Sequence, residues 1–71
     1  MSFERPAPPR LLTVRQFVER HPAFSSGGLR YLIFLAKTNG FDLAVVRIGR
    51  RVLLDEAKVF QWIERQQKRR D

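Results

Sequence analysis

The sequence predicts a small, mainly α domain with one β-hairpin, in the order helix, helix, two-stranded hairpin, helix. Three observations predict it. Apolar residues recur at helical spacing in three stretches, each opened by a residue able to cap a helix. Two aliphatic runs, residues 45–48 and 52–54, flank Gly49-Arg50-Arg51, a hairpin signal. Finally, 71 residues with 44% hydrophobic content and no cysteine leave room for one modest core, built without a disulfide or thiolate–metal staple.

Residues 1–10 read as an arm. Pro6, Pro8 and Pro9 forbid a continuing helix and favour extended backbone. Residues 11–67 form the domain. Thr13 and Gln16 have capping-box spacing. Val14, Phe17 and Val18 then share one helical face, and Leu12 is placed to pack as a staple. Pro22 disfavours helical geometry at His21, so the first helix stops near Arg20. Ser25 or Ser26 caps a second helix running to about Thr38, with Asn39-Gly40 as its left-handed stop. Leu29, Leu32, Ile33 and Ala36 line its apolar face. Gly27, Arg30, Tyr31, Phe34, Lys37 and Thr38 fall mainly on the other.

Residues 41–44 read as a linker. In the hairpin, a two-residue Gly49-Arg50 turn sets Ile48 opposite Arg51. A three-residue loop sets Ile48 opposite Val52 and Val46 opposite Leu54, an all-apolar face. Burial favours the second register, at the cost of left-handed backbone at Arg51. Asp55 caps the last helix, and Glu56 suits its positive end. Val59, Phe60 and Ile63 share a face with Trp62 at its edge, and residues 68–71 form a basic tail. The expected core is Leu12, Val14, Phe17, Val18, Leu29, Leu32, Ile33, Ala36, Val46, Ile48, Phe60 and Ile63.

Fourteen Lys and Arg against seven Asp and Glu give a net charge of +7, and eleven of the fourteen are Arg. Arginine forks onto phosphates and guanine edges, so nucleic acid is the partner this composition favours. A membrane surface or an acidic protein competes. Enzyme motifs are missing. There is no Gly-rich phosphate loop ending in Lys-Ser/Thr and no H-E-x-x-H. His21 is the only histidine, and a Ser25–His21 pair lacks an orienting acid. It reads instead as a helix-end residue that helps neutralise terminal carbonyls. No His/Cys/Asp/Glu cluster offers a metal site, so neither catalysis nor a cofactor is expected. No apolar run approaches the roughly 18 residues of a transmembrane helix. With no signal-peptide pattern, a cytoplasmic location is expected.

Two surfaces stand out. At the start of the second helix, Ser25, Ser26, Gly27 and Gly28 offer free amides to an anion, besides ordinary capping. Arg30 reaches a phosphate or a guanine, or stays solvated. Tyr31 bonds a phosphate or sits at the core boundary. Phe34, an aromatic on a polar face, packs on the hairpin by preference, or on a partner or a thymine methyl group. The hairpin is the second surface. Arg47, Arg50 and Arg51 put three cations within five residues, suited to phosphates or a minor groove. A ribbon kept charged for solubility is the plain alternative.

The chain resembles the excisionase-type, MerR-like winged helix-turn-helix family. The likeness lies in Leu12-Thr13-Val14-Arg15-Gln16-Phe17 and in the wing text Val46-Arg47-Ile48-Gly49-Arg50-Arg51-Val52-Leu53-Leu54. Phe60, Trp62 and Ile63 complete it, and it covers about residues 11–65. By that resemblance the second helix enters the major groove of double-stranded DNA. The wing contacts the backbone or the adjacent minor groove. Ser25, Ser26, Arg30 and Tyr31 map to the groove-reading helix, and Arg47, Arg50 and Arg51 to the wing.

The chain departs from the family in a longer turn, His21-Pro22-Ala23-Phe24, and in a second helix about a turn longer. It also lacks the long coiled-coil helix and effector domain of full-length MerR regulators. The resemblance implies a recombination directionality factor of a phage or integrative element. Such a protein binds and bends attachment-site DNA, assists an integrase and can self-associate on DNA. The alternatives are a small transcriptional regulator of a mobile element and a protein-interaction adaptor that uses the scaffold without DNA. Short, polar-interrupted helices disfavour a membrane partner.

Overall fold

Thr13 opens the first helix as its spacing predicts. Its hydroxyl accepts from the Gln16 amide at 3.1 Å, and the Gln16 side chain accepts from the Thr13 amide at 3.0 Å. This capping box starts α1 (Val14–Arg20), which ends at His21, before Pro22. In the computed structural model the described residues are 10–68. The Pro-rich arm over residues 1–9 and the tail residues 69–71 lie outside them.

Ser25 caps α2 (Ser26–Phe34), its hydroxyl accepting from the Gly28 amide at 3.0 Å. The second helix is not continuous to Thr38. It breaks at Leu35, whose ψ of 16° leaves the helical region. The Leu35 carbonyl then gathers the amides of Thr38 and Asn39 and the Thr38 hydroxyl, opening a single turn, α3 (Ala36–Asn39). Gly40, at φ +82°, supplies the left-handed stop.

Residues 41–44 are not a linker. They form a 3-10 turn (Phe41–Ala44) whose Phe41 and Ala44 are completely buried. The cause is Trp62. Its indole Nε1 donates to the Asn39 carbonyl at 2.9 Å, and its ring meets Phe41 edge-on at 5.0 Å. The Asn39 side chain accepts from the Phe41 amide at 2.8 Å and so holds the corner from the other side. Sequence periodicity cannot express a corner built by a residue two elements away.

The sheet has three strands rather than two. β1 (Leu11–Leu12), β2 (Val45–Ile48) and β3 (Arg51–Asp55) lie in the order β1-β3-β2, all antiparallel. The hairpin takes the two-residue turn, with Ile48 opposite Arg51 and Arg47 opposite Val52. Gly49 supplies the one positive φ of the turn, 58°, and no non-glycine residue among those described has one. This is the pattern of a type II′ turn, which matches the strand twist. The three-residue loop would have asked Arg51 for a left-handed backbone, and backbone geometry outweighs the burial of one isoleucine.

In this register Val45, Arg47, Val52 and Leu54 share the core-facing side of the hairpin, and Val46, Ile48, Arg51 and Leu53 the other. Ile48, expected in the core, is therefore 54% exposed. Asp55 caps α4 (Glu56–Lys68) by accepting from the Lys58 amide at 3.2 Å.

The buried core is Phe17, Leu29, Ala36, Phe41, Ala44, Leu54 and Val59. Leu12, Val14, Val18, Leu32, Ile33 and Ile63 pack against it half-buried. Two further core expectations fail: Val46 is half-buried on the side of the hairpin away from the core, because the register turns it outward with Ile48, and Phe60 is 40% exposed. Val59 takes the core position on α4, and Phe60 lies on the flank, its ring over Phe17, His21 and Phe24 at 5.1–6.1 Å. Among the described residues no helix is long and apolar enough to cross a membrane.

Candidate nucleic-acid interface

The outward face of α2 follows from its core face. Leu29 is buried, Leu32 and Ile33 are half-buried, and the opposite ridge carries Gly27, Arg30, Tyr31 and Phe34. Tyr31 is 63% exposed and Phe34 82%. Phe34 does not pack on the hairpin as expected; the hairpin stands across an open cleft from it. A Cβ added at Gly27 would meet nothing within 4 Å, so the start of this ridge presents bare backbone. The Ser25 hydroxyl is committed to capping. Ser26 lies exposed in the first turn, where helix geometry leaves amides without an intrahelical acceptor. No acidic residue stands in that turn to compete with an incoming anion.

The cleft between α1, α2 and the hairpin has a volume of about 540 Å³. Half-buried Val14, Ile33 and Val52 line it, with Arg15, Arg30, Phe34 and Arg50 exposed at its borders. Three elements thus each bring one guanidinium to a single concave surface. Arg30 and Arg50 make no ion pair among the described residues. Arg15 has only an exposed pair with Glu19 at 3.6 Å, a contact of little energetic weight. Arg15 was not singled out by the sequence. It stands on the exposed side of α1, and only the folded arrangement faces it toward Arg30 and Arg50.

The remaining expected residues are dispersed. Arg47 is on the same side of the hairpin as Val52 and sits 3.9 Å from Asp42, with both side chains about half exposed. Arg51 is on the opposite side, paired across the strands with Ile48. The three hairpin arginines therefore do not make one surface. Lys37 is exposed on α3, beyond the break at Leu35.

His21 is the C-cap of α1, its amide donating to the Phe17 carbonyl at 2.8 Å, but its side chain goes to a carboxylate rather than to terminal carbonyls. Its Nε2 donates to Glu56 Oε2 at 2.6 Å, and Arg20 Nε donates to the same oxygen at 2.7 Å. Arg10 Nε lies 3.5 Å from Glu56 Oε1, and the Arg10 carbonyl accepts from the Glu56 amide. The hydrogen bond from His21 does most to hold the Glu56 carboxyl below its usual value. Partial burial opposes it, and Arg20 adds a hydrogen bond and a positive charge. This cluster ties α1 and the residue before β1 to the start of α4 through one carboxylate, so it belongs to the framework that orients α1. Compared with protein-family models, with curated proteins and with solved structures, the chain matches none.

Proposed function

We propose that this mainly helical fold with its small sheet is a winged helix-turn-helix that binds double-stranded DNA. The observation that carries the reading is the arginine-bordered cleft, where Arg15, Arg30 and Arg50 from three elements converge beside a solvent-facing helix ridge. The ridge of α2 fits a major groove, which admits an α-helix. The hairpin reaches the next groove, and the sugar–phosphate strand between the two lies along the cleft. Guanidinium groups at its borders suit phosphates, and its apolar lining suits deoxyribose.

Within that reading, the resemblance favours an excisionase-type recombination directionality factor that binds and bends attachment-site DNA alongside an integrase.

The test is binding to duplex DNA over a range of salt. Neutralising about five phosphates gives a slope of log affinity against log salt near −4 to −5. An affinity indifferent to salt, or no duplex binding at low salt, ends the reading. Footprints on attachment-site DNA, with bending, support the recombination role. Footprints confined to promoters favour a transcriptional regulator.

A further inference from the structure

We propose that Phe34 selects thymine, its ring meeting the C5-methyl group of one thymine in the major groove. The inference rests on the duplex-DNA reading and names what one residue of that interface recognises. Phe34 is the most exposed large apolar side chain among the described residues, at 82%. The fold does not use it. Its ring pairs with no other aromatic among the described residues, whereas half-exposed Phe60 rests on Phe17, His21 and Phe24. An unsheltered phenyl ring on a helix ridge calls for an apolar group on whatever it meets.

The surroundings restrict what that partner can be. Arg15, Arg30 and Arg50 border the same cleft, and Arg30 stands one helical turn before Phe34. A chain of net charge +7 repels a second copy of itself at this face and attracts a polyanion. On the major-groove edge of DNA, every base group but one is either a hydrogen-bond donor or acceptor, which a phenyl ring would desolvate without return, or a bare C–H that offers it little area. The exception is the thymine methyl group. Arg30 and Phe34 together thus present a polar reader and an apolar reader at i and i+4, on one stripe of α2.

The experiment deletes that methyl group alone. The full chain selects its tightest duplex from a randomised library, and each thymine of that duplex is then replaced singly by deoxyuridine. Base pairing, charge and hydrogen-bonding groups are unchanged. At one or two positions the replacement should lower affinity about fourfold, the weight of one buried methyl group. Phe34→Ala should bind the thymine and deoxyuridine duplexes equally. It should also melt and give circular dichroism as wild type does, because the ring lies outside the core.

Equal wild-type affinity for every deoxyuridine duplex overturns the proposal, as does a methyl effect that survives in Phe34→Ala. Those results leave the DNA reading standing if binding remains salt-dependent. Failure to retain any duplex overturns both.

Discussion

Glu56 is the point at which three stretches of the chain are held together, through Arg10, Arg20 and His21. Its carboxyl is held below the usual 4.5 in the folded state. A carboxylate lowered on folding adds stability that is complete above its unfolded value and is lost as pH falls through its folded value. Glu56→Gln should therefore melt lower than wild type at neutral pH, and the gap should close as acidification passes below the usual carboxylate value and through the lowered one. Melting curves across that window check it; a gap independent of pH would mean that the charge contributes nothing. Phe17 shows the other kind of residue-scale control. It is fully buried, stacks with Phe60, and meets Phe24 edge-on and the His21 ring at a tilt. Phe17→Ala should cost on the order of 3 kcal/mol, a large share of the stability of so small a domain. Denaturant titration measures it, and near-native stability would contradict the packing described.

At the scale of elements, α2 and the hairpin should fail differently. Arg30 lies on the ridge that faces a groove, and Arg50 in the turn, where side chains reach backbone more readily than bases. Arg30→Ala should reduce discrimination between the selected duplex and a scrambled one by ~1–3 kcal/mol. Arg50→Ala should weaken both duplexes alike and flatten the salt slope by about one unit. Affinities of both variants on both duplexes at several salt concentrations decide it. Should Arg30→Ala weaken both equally, α2 only grips phosphates. A change of site preference in Arg50→Ala would mean that the hairpin reads groove shape.

Elements also differ in how legible they were. Thr13 with Gln16, Ser25, Gly40 and Asp55 mark helix ends through bonds to residues a few positions away, so their roles could be read directly. The hairpin register could not. Alternation of apolar residues argued for burying Ile48, while the turn geometry set by Gly49 argued for exposing it, and only the assembled sheet decides between them.

For the molecule as a whole, what escaped the sequence is what depends on distant partners. Phe41 and Ala44 are core because Trp62 closes over their corner. Arg15 joins the cleft because α1 is turned toward the hairpin. Leu11 and Leu12, too short a run to announce a strand, become one because Asp55 and Leu54 lie beside them. The site residues on α2 were visible, since a ridge follows from helical period. Their convergence with Arg50, and the separation of Arg47 from Arg51, were not.

The pairing of β1 with β3 has a consequence for the behaviour of shortened chains. β1 is only two residues long and covers the Leu54–Asp55 end of one flank of β3, which leaves the outer line of the sheet brief. Removing residues 1–12 would uncover the Leu54–Asp55 end of β3 on that side, and would take from Glu56 both the Arg10 carbonyl and its guanidinium. An open strand of that kind recruits strands from other molecules. The truncated chain should form larger species, growing with concentration, that the full chain does not form under the same conditions. Sedimentation of the two chains side by side would detect them, and a truncated chain as monodisperse as the full one would mean that β1 guards nothing. Two leucines at the start of the domain would then serve, besides packing, as its protection against uncontrolled self-assembly.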